Sequence, residues 1–192
     1  MARLILIRHG ESVANSERRF TYGPHEPLSR RGREEALARG RLLLEHFDPV
    51  AIYSSPFVRA LETAQLIGRV LGLEPVVVAA LREQDFGELR GQPYAALDDA
   101  ARERVGRWRY RPPGGETLEE VLARAGPALD LIAARHLGSE VVVVSHGGVM
   151  AALGAWGHGD SRGEPVIHAN AAGYMLWRHQ TRYEGPFALE ER

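Results

Sequence analysis

Apolar positions along this chain change their period several times, and each change marks an element. Leu4 to Ile7 is a short unbroken apolar run between polar neighbours, the pattern of a strand buried on both faces. After Ser29, a candidate N-cap, the period lengthens, and Ala36, Gly40, Leu43, Leu44 and Phe47 recur at helical spacing. Val50 to Tyr53 is a second strand. Ser55-Pro56 predicts an N-cap with proline in the first helical position, opening a helix through Val58, Leu61, Ala64, Gly68 and Leu71 that Gly72 closes. Val76 to Val78 is a third strand.

Between about residues 87 and 115 the periodicity weakens and Arg, Gly, Pro and aromatic residues accumulate. This stretch is read as a partly helical excursion from the core, a lid. Thr117-Leu118-Glu119-Glu120 is a capping box, and Leu118, Val121, Leu122, Ala125, Leu129 and Ile132 continue its helix, with a kink expected at Pro127. Val141 to Val144 is the clearest buried strand. Gly147-Gly148 and an apolar helix to about Trp156 follow it, and a final strand lies near Tyr174 to Trp177. Strands alternating with helices predict an α/β fold, a three-layer sandwich whose mostly parallel central sheet is flanked by helices. One domain over residues 1–192 is expected.

Composition narrows the chemistry. At 44% hydrophobic and 26% charged residues the chain has the balance of an ordinary globular protein, and its net charge of -1 offers nothing to attract nucleic acid or an anionic membrane. With no cysteine, disulfides, thiolate zinc sites and cysteine nucleophiles are excluded together. All 24 basic residues are arginine, so any cationic grip on an anion must come from Arg or His, and Arg holds phosphate through a planar fork. The apolar run at the start is too short for a signal segment and is interrupted by Arg8 and His9, and no run reaches membrane-spanning length; a cytoplasmic protein is expected.

Three polar residues share one placement. His9 follows the first strand, His146 follows the Val141–Val144 strand, and Arg59 lies in the first turn after the Val50–Tyr53 strand. Carboxyl ends of strands line the ligand crevice of open α/β sheets, so these residues and Arg8 should converge there. Gly147-Gly148 adds free backbone N–H groups at a helix start. Taken singly, each has an ordinary explanation: a hydrogen-bonding histidine, a solvated arginine, a tight turn. Their coincidence on one sheet edge favours a phosphate site without choosing a reaction.

The ordered motifs then carry a resemblance. Arg8-His9-Gly10-Glu11-Ser12 with Asn15, Phe20-Thr21, Leu28-Ser29-x-x-Gly32 and Ser54-Ser55-Pro56-x-x-Arg59-Ala60-x-x-Thr63-Ala64 come first. Leu81-x-Glu83-x-x-Phe86-Gly87, Pro113-Gly114-Gly115-Glu116 and Val144-Ser145-His146-Gly147-Gly148 follow. Together they resemble the histidine phosphatase superfamily, the group that includes the cofactor-dependent phosphoglycerate mutases. The resemblance implies a phosphoglycerate mutase-like fold and a transient phosphohistidine at His9. It implies that Arg8, Arg59 and His146 bind the phosphoryl oxygens in place of metal ions, that Asn15, Thr21 and Gly147 add donors, and that Glu83 is general acid and then base. No metal or other cofactor is expected.

Departures from the mutases favour a phosphatase acting on small phosphomonoesters. The segment from Glu83 to Pro112 is compact and lysine-free, Gln84 and Phe86 stand where mutases present an arginine and a tyrosine, and the chain is shorter. Arg102, Arg104, Arg107, Arg109 and Arg111 argue the other way if they gate a second anionic group; otherwise they are a solvated helix face. A mutase and a non-catalytic phospho-ligand module are the alternatives. The oligomeric state is open, a homodimer included.

Overall fold

The computed structural model describes residues 1–157, 165–179 and 182–189. Six strands form one sheet: β1 (Ala2–Arg8), β2 (Pro49–Ser54), β3 (Pro75–Val77), β4 (Glu140–Ser145), β5 (Gly173–His179) and β6 (Arg182–Ala188). The helices are α1 (Val13–Ser16), α2 (Arg30–His46), α3 (Val58–Leu71), α4 (Asp99–Val105), α5 (Leu118–Arg135) and α6 (Gly147–Gly157). Strand order is β3-β2-β4-β1-β5-β6. The first four run parallel, while β5 pairs antiparallel with β1 and with β6, so the sheet is mixed.

The period-two geometry of a strand explains the layers. In β1, Leu4 and Leu6 face one cluster with Val121, Ala125 and Leu129 of α5 and Val149, Met150 and Leu153 of α6. Ile5 and Ile7 face the other, with Leu43 of α2 and Ala60, Ala64 and Ile67 of α3. β4 divides in the same way, Val141 and Val143 to the first cluster, Val142 and Val144 to the second. Each such wholly buried aliphatic side chain contributes about 1.5–3 kcal/mol over exposure. α6 is apolar almost all round because the sheet, α5 and β6 enclose it; Trp156 stacks on Tyr183 with ring centroids 4.7 Å apart. Among the described residues no helix is long and apolar enough to cross a membrane.

The layers fix the site. β1 and β4 are neighbours, yet the next long helices, α2 and α6, lie on opposite faces of the sheet. A crevice opens between their carboxyl ends. Register keeps those ends level: Arg8 pairs with Ser145, and Ser54 with Val144. His9 N–H then donates to the Ser145 carbonyl at 3.0 Å, and Ser55 N–H to the Val144 carbonyl at 3.1 Å.

Two caps match the sequence expectations, and three details differ from them or extend them. Ser29 caps α2 and Thr117 with Glu120 forms the capping box of α5, as expected. Helix α3 starts later than Ser55-Pro56 predicts, with Phe57 as its N-cap; the Ser55 hydroxyl bonds His146 and accepts the Phe57 N–H at 3.2 Å. α5 is assigned as one helix through Pro127. β6 escaped prediction altogether.

Candidate active site

Seven of the eight expected residues, Arg8, His9, Asn15, Thr21, Arg59, Glu83 and Gly147, line one cavity of about 390 Å³ at the carboxyl end of the sheet. The eighth, His146, lies behind it, wholly buried, its ring edge-on to His9 at 5.2 Å between centroids.

His9 is held at two points. Its Nδ1 lies 2.7 Å from the Gly10 carbonyl, so Nδ1 carries the proton and Nε2 keeps its lone pair. Arg59 Nε–H donates to that lone pair at 3.2 Å. Gly10 in turn donates its N–H to Thr63 Oγ1 at 3.1 Å, and the Thr63 hydroxyl donates to the Arg59 carbonyl, which locks the loop to the first turns of α3. Gly10 must be glycine: a Cβ there would run into the backbone of Gly32 in α2. Burial, then the charges of Arg59 and Arg8, holds the His9 imidazole well below its ordinary pKa, and the ring is neutral.

Arg8 and Arg59 are themselves largely buried cations whose basicity burial reduces. Arg8 donates from Nη1 to the His168 carbonyl, whereas its buried Nε has no partner among the described residues. That Nε lies beside Gly147, the first residue of α6, and an anion between them would also meet the positive end of the helix dipole.

His146 shares 2.7 Å between Nε2 and Ser55 Oγ, and its buried Nδ1 has no hydrogen-bond partner. Nδ1 faces Glu83 Oε2 at 3.9 Å, too far for a hydrogen bond. Burial, then Arg59, His9 and Arg8, depresses its pKa far below the ordinary value, and this ring too is neutral. Two such imidazoles imply acid sensitivity. Their folded-state pKa values lie below 6.5, so as pH falls past that value the unfolded chain takes up protons first. Stability that is complete above pH 6.5 is then lost toward the folded-state values, by about 1.4 kcal/mol per pH unit for each proton. The melting temperature is expected to drop between about pH 7 and about pH 5 and to drop less in His146→Gln. An unchanged slope in that variant would mean that the folded ring titrates as it does in the unfolded chain.

Glu83 settles a balance that no sequence motif can express. Its Oε1 accepts from Gln84 N–H at 2.9 Å and from Gly148 N–H at 3.2 Å. Those bonds and Arg59 and Arg8 favour the carboxylate, but desolvation outweighs them and its pKa is raised. A Cβ on Gly148 would sit 2.9 Å from Glu83 Oε1, so glycine is needed for that approach.

A residue absent from the expected set positions this loop. Arg124 of α5 donates to the carbonyls of Ala80 at 2.6 Å, Arg82 at 2.8 Å and Glu83 at 3.0 Å, and its fork grips both Glu116 oxygens. Glu116 also accepts the Asp85 N–H at 3.0 Å, while the Gln84 side chain donates to the Glu116 carbonyl at 2.7 Å. In sequence Arg124 is one more arginine on an amphipathic helix.

The remaining residues divide. Asn15 Oδ1 accepts from Ser12 and Asn170 and its amide donates to the Tyr94 hydroxyl at 2.8 Å. Thr21 lines the cavity with its hydroxyl turned to the Gly23 carbonyl. Of the five arginines between residues 102 and 111, Arg102 and Arg107 line the cavity, while Arg109 and Arg111 pair outward with Glu119 and Glu120 and Arg104 is exposed.

The arrangement unites a neutral imidazole with a free ring lone pair, cationic forks, helix-start N–H groups and a desolvated carboxyl. It suits transfer of a phosphoryl group to nitrogen. A family model described as histidine phosphatase superfamily (branch 1) matches residues 4–183. The chain is 36% identical over 166 residues to a 2,3-bisphosphoglycerate-dependent phosphoglycerate mutase of Gloeobacter violaceus, covering 80% of this chain and 74% of that one. It is 31% identical over 165 residues to a metal-independent phosphoserine phosphatase of Arabidopsis thaliana, covering 80% and 67%. A mycobacterial glucosyl-3-phosphoglycerate phosphatase solved with VO3 superposes with a TM-score of 0.87 at 30% identity, over 98% of this chain and 99% of that one. Against three further mycobacterial relatives the match spans only 41% of their length.

Proposed function

This chain belongs to the histidine phosphatase superfamily, and from that premise we propose that it is a metal-independent phosphatase of small phosphomonoesters that works through a phosphohistidine at His9. The observation that carries the reading is the His9 ring. Its proton is committed to the Gly10 carbonyl, its Nε2 lone pair is free for attack once Arg59 turns to a phosphoryl oxygen, and a protonatable Glu83 lines the same cavity.

In the first step His9 Nε2 attacks phosphorus, the bond from phosphorus to the ester oxygen breaks, and Glu83 gives its proton to the departing alkoxide. Arg8 and Arg59 hold the phosphoryl oxygens, and the charge spread over them in transfer meets cations already in place. His146, with the Ser55 hydroxyl donating to its Nε2, offers Nδ1–H as a neutral donor. In the second step water attacks the phosphohistidine while the Glu83 carboxylate takes its proton. Inorganic phosphate leaves, and His9 and Glu83 return to their starting protonation states. Residues 87–115 are the lid of this single-domain cytoplasmic enzyme.

The mutase reading keeps one observation in its favour, the two arginines at the cavity wall, Arg102 and Arg107. Hydrolysis of an aryl phosphate with excess EDTA, run beside interconversion of 3- and 2-phosphoglycerate with a bisphosphoglycerate primer, decides between them. Phosphate release that persists in EDTA and outruns interconversion is expected. Interconversion far faster than release would make the protein a mutase, and loss of both in EDTA would end the metal-independent reading.

A further inference from the structure

Beside the phosphoryl-binding residues, much of the cavity wall is of another chemistry. Phe20, Phe86, Tyr94, Leu97, Tyr110 and Ile167 line it. Three of these form an aromatic corner: Phe20 lies 4.7 Å from Phe86 and 5.1 Å from Tyr94 between ring centroids, the second pair edge to face. Ile167 lines the same cavity beside Gly147, 3.5 Å from where a Cβ on that residue would be. Ile167 and Tyr94 are 56% and 38% exposed, so large apolar side chains at the site are left uncovered in the free protein. Most uncovered apolar residues need no explanation, but these share one concave wall above a phosphate site.

The cations of that wall have partners inside the protein. Arg102 pairs with Asp99 at 2.7 Å, and Arg107 donates to the Pro165 carbonyl at 3.1 Å. Arg102 keeps a buried Nε without a hydrogen-bond partner among the described residues, but Asp99 on the same guanidinium would repel a carboxylate there, whereas an apolar ring entering the aromatic corner displaces only water. The cavity volume, about 390 Å³, falls in the range that encloses a ring-bearing small molecule.

We propose that the preferred substrates are phosphomonoesters whose alcohol carries an apolar ring, seated between the Phe20–Phe86–Tyr94 corner and Ile167. This rests on the phosphatase reading and names its substrate class. The rings bring their edges and faces to the ligand, which favours a flat aromatic group over a flexible polyol.

The test must not confuse binding with leaving-group reactivity, since aryl esters depart easily from any phosphatase. We therefore compare primary alkyl esters: ethyl phosphate, 2-phenylethyl phosphate, glycerol 3-phosphate and 3-phosphoglycerate. The expected result is a kcat/KM for 2-phenylethyl phosphate at least about tenfold above each of the others, carried mainly by KM, as burial of one ring requires. In Phe86→Ala and in Ile167→Ala, the latter at an exposed position that leaves folding intact, the ratio of 2-phenylethyl to ethyl phosphate should fall by about five- to tenfold. A 3-phosphoglycerate advantage, equal kcat/KM for the ring-bearing and ethyl esters, or a ratio unmoved in both variants would overturn the ring site while leaving the phosphatase reading intact. Failure to hydrolyse any of the four, with p-nitrophenyl phosphate also untouched, would overturn the phosphatase reading itself.

Discussion

Replacing His9 by alanine is expected to lower kcat/KM on p-nitrophenyl phosphate by at least about 10⁴-fold, the scale on which loss of the nucleophile acts in covalent hydrolases. The variant loses the attacking atom while Arg8, Arg59 and Gly147 remain to hold a phosphoryl group. Binding of inorganic phosphate should therefore survive, and the protein should remain folded, because the ring it loses lies at the cavity and not in either aliphatic cluster. Arg59 Nε–H and the Gly10 carbonyl each lose a partner, a cost of about 1–3 kcal/mol for groups that water cannot reach. Rapid quenching of the parent enzyme under alkaline conditions, which spare a phosphoramidate bond, should trap label on His9 and on no residue of the variant. Activity within tenfold of the parent would sink the phosphohistidine. Parent and variant that bind phosphate alike and hydrolyse nothing would instead identify a binding module.

Much of this could be read from the chain because strand burial and site placement share one cause. Leu4–Ile7 and Val141–Val144 are unbroken apolar runs since both faces of β1 and β4 are covered, and the polar residues that follow within two positions of each run lie at the site. Arg8, His9 and His146 were legible for that reason. Features that depend on contacts between distant segments were not. Ser55-Pro56 has the local form of a helix start, but its hydroxyl joins His146 at 2.7 Å to the Phe57 N–H at 3.2 Å, and the helix begins after it. In β6 only Tyr183 is buried, and Gly185 and Pro186 break the alternation, so nothing local marks it as a strand. Arg124 has no motif at all; it matters because three of its bonds converge on the loop of Glu83 and its fork ties that loop to Glu116.

Glu83→Gln is expected to lower kcat for alkyl phosphates by about 10²–10⁴-fold, the range of general acid–base catalysis, and for p-nitrophenyl phosphate by much less. Gln keeps the shape and an oxygen for the Gln84 and Gly148 N–H groups, so the loop held by Arg124 should not move. What it lacks is a proton to give to a basic alkoxide; a nitrophenolate needs none. It also lacks the base for the second step, so phosphohistidine should accumulate in the variant.

The pH dependence follows from the same balance. Desolvation raises the Glu83 pKa above 4.5 against the pull of Arg59, Arg8 and the two N–H groups, so the acid form persists above the usual carboxylate range and is lost as pH rises through the raised value. His9, depressed far below 6.5, remains a nucleophile well down the acid side. The kcat of the parent on an alkyl phosphate should therefore fall on an alkaline limb set by Glu83, and Glu83→Gln should lose that limb. Stability carries the matching sign. A folded-state pKa raised above the unfolded one contributes stability that is complete below pH 4.5 and disappears as pH rises through the folded value. The uncharged glutamine never incurs the cost of ionising in that desolvated place, so the variant should melt higher than the parent at neutral and alkaline pH. A variant that melts lower there and keeps the alkaline limb would mean that Glu83 is an ordinary paired carboxylate, and the acid would have to be sought elsewhere on the cavity wall.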